Sequence, residues 1–346
     1  MRFFFRKIDG CLSNLKRLTM LRKTISPLLA LLTILVINAF NNKTYAQDPQ
    51  FSQFYANPIY LNPAFAGSHG CPRFAVNYRN QWPALSGSYV TYSASYDQYI
   101  KGMNGGIGVI MTHDQQGKGT INHTTLSLIY NYHLKVNRKF TMMFAGKATW
   151  NQKSLDWDRL TFGDMIDPRR GFIYATGDVP RGGSRGFFDV SAGMVGFTEQ
   201  FFFGVSAHHL NMPDESMIIG QSRMPIRFTG HAGAKIPLGS SSKYNNNVSI
   251  MPNMIFQYQQ GFMETLLGTY VQYGALTAGA WFRSRDAFIL SAGVNTGKFK
   301  VGYSYDVTVS ALNNGVSGGS HEISLGLDLS CKVKKPSFRT ISCPSF

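Results

Sequence analysis

The chain has 346 residues, 44% hydrophobic, 14% aromatic and 15% charged, with 35 glycines and four cysteines; this excludes both a disordered chain and a small disulfide-stapled scaffold. The formal charge of +16 first suggests nucleic acid, but eight Lys/Arg and one Asp lie in residues 1–46, which leaves +9 spread over the remainder. A dispersed charge of that kind forms no nucleic-acid footprint.

Residues 28–40 (LLALLTILVINAF) form a short apolar core, preceded by Arg22 and Lys23 and followed by Thr44-Tyr45-Ala46. This is the three-part pattern of a secretory signal over residues 1–46, too short and wrongly flanked for a membrane anchor. Its basic region is long if translation starts at Met1, so Met20 is the expected start. The only nearby cysteine, Cys11, precedes the apolar core, so the mature chain is expected to begin near Gln47 without lipid. Export leaves Cys71, Cys331 and Cys343 in an oxidising compartment, an odd number. Either a Cys331–Cys343 or a Cys71–Cys331 bridge is expected, with buried, idle thiols as the plainer alternative.

Residues 47–71 place Phe51, Phe54, Tyr55, Tyr60, Leu61 and Phe65 around Pro58 and Pro63. The segment is too broken for a strand and too aromatic for water. It is expected to pack in or under the lumen of the body that follows.

From residue 72 to 331 the sequence alternates with period two, which sorts side chains onto the two faces of strands. Between 88 and 97, Val90, Tyr92, Ala94 and Tyr96 oppose Thr91, Ser93, Ser95 and Asp97; near the end, Ile323, Leu325 and Leu327 oppose Glu322, Ser324 and Gly326. The segments run about 9 to 15 residues, longer than the ~5 to 6 of soluble strands and long enough to cross a bilayer with tilt. One face is aliphatic and aromatic and the other polar, as lipid outside and a wet or plugged lumen inside require. Only a closed barrel then satisfies every backbone group. The expected fold is therefore an all-β transmembrane antiparallel barrel of about 14 strands. These are 72–80, 88–97, 104–113, 119–133, 138–151, 186–196, 200–209, 224–237, 246–259, 262–273, 275–283, 286–296, 298–310 and 320–331.

If the first strand starts at the periplasm, connections 152–185, 210–223 and 311–319 land outside and short links such as 197–199 land inside, the pattern of bacterial outer-membrane barrels. Glycines within strands, such as Gly105, Gly106, Gly108 and Gly279, are expected to permit tight curvature or to mark bulges. The tail 332–346, with Lys332, Lys334, Lys335 and Arg339, is expected to be a basic periplasmic extension.

No P-loop, dinucleotide fingerprint, nucleophile elbow or HExxH occurs, and the eight histidines take no strong metal spacing. His208-His209 is the most tempting pair, but neighbouring strand residues point to opposite faces and cannot easily share one metal. Asp156, Asp158, Asp164 and Asp167 offer oxygen ligands without the order of a calcium loop, and Arg159, Arg169 and Arg170 neutralise them. No enzyme activity, cofactor or metal is expected. In the long outer loop, Trp157, Phe162, Phe172 and Tyr174 beside Arg169 and Arg170 are the candidate partner contact, since aromatics and Arg anchor interfaces; packing on the barrel's own mouth is the alternative.

The stretch QDPQFSQFYANPIYLNPAFAG (47–67) resembles the mature amino terminus of the PorP/SprF family of type IX secretion system membrane proteins of Bacteroidetes. The likeness continues in YRNQWP (78–83), SYDQYI (95–100), GGIGV (105–109), GDMIDPRRGFIY (163–174), GSHEISLGLDL (319–329) and CPSF (343–346). The resemblance implies a multi-pass barrel in the outer membrane of a Gram-negative bacterium, tied to protein secretion and, in some relatives, gliding motility. The partners it implies are a secreted surface adhesin, engaged through a type B carboxy-terminal domain, and the periplasmic ring and linker proteins; outer-membrane lipid is implied by the barrel itself. It carries over no site residue. A porin or small-solute transporter is the alternative function.

Overall fold

The computed structural model describes residues 48–177, 182–218, 220–238, 248–310 and 314–329. The chain divides into two units, 1–46 and 47–346, and every described residue belongs to the second. The expected signal segment and its Met20 start, and the basic tail 332–346, lie outside the described residues.

Fourteen long strands make the wall. They are β1 (Arg73–Gln81), β2 (Tyr89–Ile100), β3 (Gly105–Gln116), β4 (Ile121–Lys135), β5 (Thr141–Leu155), β6 (Ser184–Phe197) and β7 (Phe201–His208), followed by β8 (Arg227–Ala234), β9 (Val248–Gln259), β10 (Phe262–Tyr273), β11 (Leu276–Arg283), β12 (Ala287–Asn295), β13 (Phe299–Thr308) and β14 (Ser320–Asp328). Each pairs antiparallel with its sequence neighbours, and β1 pairs with β14, so the meander closes with no free edge. Closure is what lets a sheet sit in lipid, because no backbone N–H or C=O is left without a partner there. Ends differ from the sequence reading by a few residues; β8 is shorter, breaking at Lys235 before Ile236–Pro237 resumes pairing with β9.

The alternation reads directly as inside and outside. On β4, Leu126, Leu128, Tyr130, Tyr132 and Leu134 are exposed on the outer surface, while Ser127, Ile129, Asn131 and His133 are buried within. The same division runs around the wall, giving an apolar exterior for lipid and a largely polar interior. The described parts of connections 156–183, 209–226 and 309–319 lie at one end, which is therefore the outer one. At the other end most turns are short, such as 198–200 and 296–298. The connection that leaves β8 at Lys235 is an exception, longer in sequence than the outer turn 260–261.

The lumen holds a strap formed by residues 48–71. Pro58 opens a one-turn helix, α1 (Pro58–Leu61), and Pro63 opens a 3-10 turn (Pro63–Phe65), each proline at the start of its turn where the missing N–H costs nothing. The strap descends the full height of the barrel. Asp48, at its start, meets His209 just beyond β7 and Arg227 at the head of β8, both at the outer end. Gly67, near its end, meets Asp97 low on β2, and Arg73 at the foot of β1 grips the same carboxylate. Cys71, at the inner rim, is disulfide-bonded; Cys331 and Cys343, which figure in the two expected bridges, lie outside the described residues.

Candidate functional site

The strap is fixed by three kinds of contact, set at different heights. At its core, Phe54, Tyr55 and Phe65 are buried in one apolar cluster with inward residues of the wall such as Met143, Val195, Ile255 and Trp281; half-buried Tyr60 packs against this cluster, and buried Phe51 lies against Tyr60. Phe54 and Tyr55 meet Trp281 and Phe202 at ring distances of 5.1 and 5.7 Å, and Phe51 meets Tyr60 edge-on at 5.0 Å. Each buried aromatic of this size contributes on the order of 1.5–3 kcal/mol.

Below this, inward amides and hydroxyls of the wall take up the strap's backbone. Asn131 Nδ2 donates to the carbonyls of Ala64 and Ala66 (2.7 and 2.8 Å) and Ser206 Oγ donates to Leu61 O (3.1 Å); in the other direction the strap's Asn57 side chain donates through Nδ2 to Ser93 Oγ of the wall (2.8 Å). Asn62 turns its amide outward to the carbonyls of Met194 and Val205 while its Oδ1 caps Ala64 N–H. Such contacts matter because an irregular backbone in a water-poor interior has no other partners. The strap also runs so close to β3 that a Cβ on Gly106 would stand 2.2 Å from Ala66 O. This glycine thus serves a backbone crossing, not the curvature or bulge expected from the sequence.

Higher up, two charged knots bind the strap. In the first, Arg79 and Arg283, both buried, converge on Asp306 at 2.9 and 3.2 Å, and Arg79 also reaches Glu322 at 3.4 Å. Ser52 Oγ sits at the centre. It accepts from Arg79 Nη1 (2.6 Å) and Arg283 Nη2 (3.0 Å) and donates to Asp306 (2.6 Å), which uses every site a hydroxyl has. Glu322 receives the backbone N–H of both Ser52 and Gln53. Four strands are thereby fastened to one serine of the strap.

The second knot lies at the outer mouth. Asp48 bonds His209 Nε2 at 2.8 Å and Arg227 at 2.9 Å, and the other imidazole nitrogen bonds Asp189 at 3.1 Å. Arg227 also lies over the Tyr60 ring. Burial opposes charge on both Asp48 and His209, but their mutual attraction and Arg227 hold the Asp48 carboxyl well below its usual range, and the two carboxylates raise His209 to about 9. Strand alternation predicts His208 and His209 on opposite faces. Both are in fact buried, because His209 lies past the strand end with φ +60° and swings inward. Its two nitrogens are taken by carboxylates.

On the outer face the six candidate contact residues divide into two groups. Trp157 and Phe162 are partly buried and stack on each other with ring centroids 5.9 Å apart. Arg169, Arg170, Phe172 and Tyr174 are exposed, on a small hairpin pairing Ile166–Asp167 with Gly171–Phe172. Asp167 accepts the N–H of Arg169 and Arg170 (both 2.8 Å), which lowers its pKa, and Asp164 accepts Gly177 N–H and Thr176 Oγ–H. Asp156 pairs with Arg159 at 3.0 Å. Three of the four acidic residues considered for calcium, Asp156, Asp164 and Asp167, are therefore engaged in shaping the loop.

Sequence reasoning missed the knots. Arg79, Arg283, Asp306 and Glu322 all carry one legible signal, a charge on the inward face of an apolar strand. Asp48, Ser52 and His209 carry none.

No curated protein matches the chain. Among solved structures it is similar to the outer membrane protein Omp33 of Acinetobacter baumannii (9% identity, TM-score 0.41, 75% of this chain and 100% of that one). It is also similar to the toluene transporter TodX of P. putida (9%, 0.43, 79% and 94%) and to a FadL homologue of Pseudomonas aeruginosa (11%, 0.40, 74% and 90%). Closed strands without a membrane-spanning helix among the described residues, an apolar exterior and a polar, strapped lumen make an outer-membrane barrel. With the family of the type IX secretion system membrane protein PorP/SprF matching residues 43–327, the chain belongs to that family.

Proposed function

We propose that this barrel serves type IX secretion as a closed docking body, holding the carboxy-terminal domain of a surface adhesin on its outer loops and coupling at its periplasmic face to the secretion or motility machinery. The observation that carries this reading is the filled lumen. Among the described residues the cavity beside Phe51, Tyr60 and Arg227 in the lumen is about 20 Å³, room for one water, and a larger one of about 310 Å³ lies at the outer rim beside Ser184, Arg185 and Met217. A solute pathway needs a continuous polar bore, and here the strap occupies it from the outer mouth to the inner rim. We therefore assign the barrel no solute transport.

The outer hairpin supports the docking half of the reading. Phe172 is 62% and Tyr174 54% exposed beside Arg169 and Arg170, the residue types that anchor interfaces. Deleting residues 156–180 is expected to leave the barrel assembled in the outer membrane while one surface protein is lost from the cell. Unchanged surface display in that strain would defeat the assignment.

A further inference from the structure

The two rims of the barrel differ in charge. The described outer connections carry six Lys/Arg against seven Asp/Glu, close to neutral. The described inner connections carry Lys101, Arg138, Lys139, Lys235 and Lys298 against Glu199 alone. An anionic outer leaflet would favour the opposite arrangement, so the inner excess calls for a ligand of its own.

These cations are not gathered on one side. They sit at four of the inner turns, after β2, β4, β8 and β12, around the perimeter. Each adjoins a side chain of the lipid-facing band: Lys298 precedes Phe299 (62% exposed), Lys235 precedes Ile236 (46%), Lys139 precedes Phe140, and Lys101 lies two residues before Met103 (48%). A cation at the edge of an apolar belt is placed where phospholipid headgroups begin, with its stem along the acyl region and its charge at the phosphate. A protein-docking patch would gather charge on one sector and away from lipid.

We propose that the inner rim of the barrel is a binding surface for anionic phospholipid, engaging headgroup phosphates of the periplasmic leaflet through Lys101, Arg138, Lys139, Lys235 and Lys298. Lysines supply point charges and Arg138 a planar fork for phosphate oxygens. The rim thereby holds the barrel at a fixed depth and leaves the neutral outer loops clear of lipid.

The full barrel, purified in detergent and exchanged into nanodiscs of equal phosphatidylcholine and phosphatidylglycerol, gives the test by native mass spectrometry of retained lipid. Wild-type protein is expected to retain phosphatidylglycerol preferentially. The preference should fall about fivefold for each charge removed in Lys101→Gln, Arg138→Gln, Lys139→Gln and Lys298→Gln, and should fall with added salt. Arg169→Gln with Arg170→Gln on the outer hairpin should leave it unchanged. Equal retention of the two lipids by wild-type protein would overturn the proposal, as would a preference that survives the fourfold neutralisation. A neutralised barrel that keeps its lipid but loses a co-purifying acidic protein would also overturn it, making the rim a protein-docking surface. The salt titration is run on wild-type protein, so it decides the matter even if the fourfold variant does not assemble.

Discussion

Gly106→Ala tests the strap most locally. A Cβ at this position would lie 2.2 Å from Ala66 O and 2.7 Å from both Ala66 C and Gly67 Cα, where ordinary contact begins at 3.4 Å. Every one of these atoms is backbone, so no side chain can rotate away, and the crossing must open by about 1.2 Å to restore contact. β3 cannot retreat, because it is hydrogen-bonded along its length to β2 and β4. The strap must yield, straining the bonds from Asn131 to Ala64 O and Ala66 O and from Gly67 N–H to Asp97. Overpacking costs about 1–3 kcal/mol, and the weakened hydrogen bonds about 1 kcal/mol each. The sum, on the order of 4–6 kcal/mol, raises the population with the lower strap displaced by about 10³- to 10⁴-fold. Hydrogen exchange at the amides of Phe65 to Ser68 reads this directly in the reconstituted barrel. Gly146→Ala is the control, since a Cβ there meets nothing within 4 Å. Equal protection of these amides in wild type and Gly106→Ala would refute the crossing.

Ser52→Ala removes one hydroxyl from three charged partners; hydrogen bonds to charges are worth about 1.5–3 kcal/mol each, so a lowered melting temperature is expected, and an unchanged one would show that the knot closes without the serine. At the outer mouth, the elevated His209 contributes stability fully present below its ordinary value of 6.5 and lost as pH rises through about 9, while the depressed Asp48 contributes stability lost as pH falls below its ordinary 3.8. Strap protection should therefore be complete between about pH 4 and 6.5 and decline as pH rises to about 9, and His209→Gln should flatten that alkaline loss in a pH series of thermal melts. Because the strap starts at the outer mouth, an epitope inserted immediately before Asp48 should bind antibody on intact cells. Detection only after permeabilisation would reverse the chain direction assigned to the strap.

The wall was legible because lipid on one side and lumen on the other impose a strict period of two on residues such as Leu126 to Leu134; a soluble sandwich alternates as well, but its strands are shorter than these. The aromatic segment was legible as material needing burial, since Phe51, Phe54, Tyr55 and Phe65 are too apolar to leave in water beside two helix-opening prolines. Its path was not, because path depends on which inward groups meet across the lumen, and partners such as Ser52 and Glu322 are 270 residues apart. Glycine at 106 reads alike for a bulge, a bend or a crossing until the second backbone is in place. His209 was misplaced for a sharper reason. Face alternation holds only within a strand, and one residue of left-handed backbone past its end reverses the side chain's direction.

The central claim is that residues 48–71 close the barrel from within. Single-channel recording on the purified protein in planar bilayers tests it most directly. The account predicts no steady conductance for the intact chain, and openings once Gly106→Ala displaces the lower strap. A stable open conductance from the unmodified barrel, of the same size after the strap is removed, would contradict it.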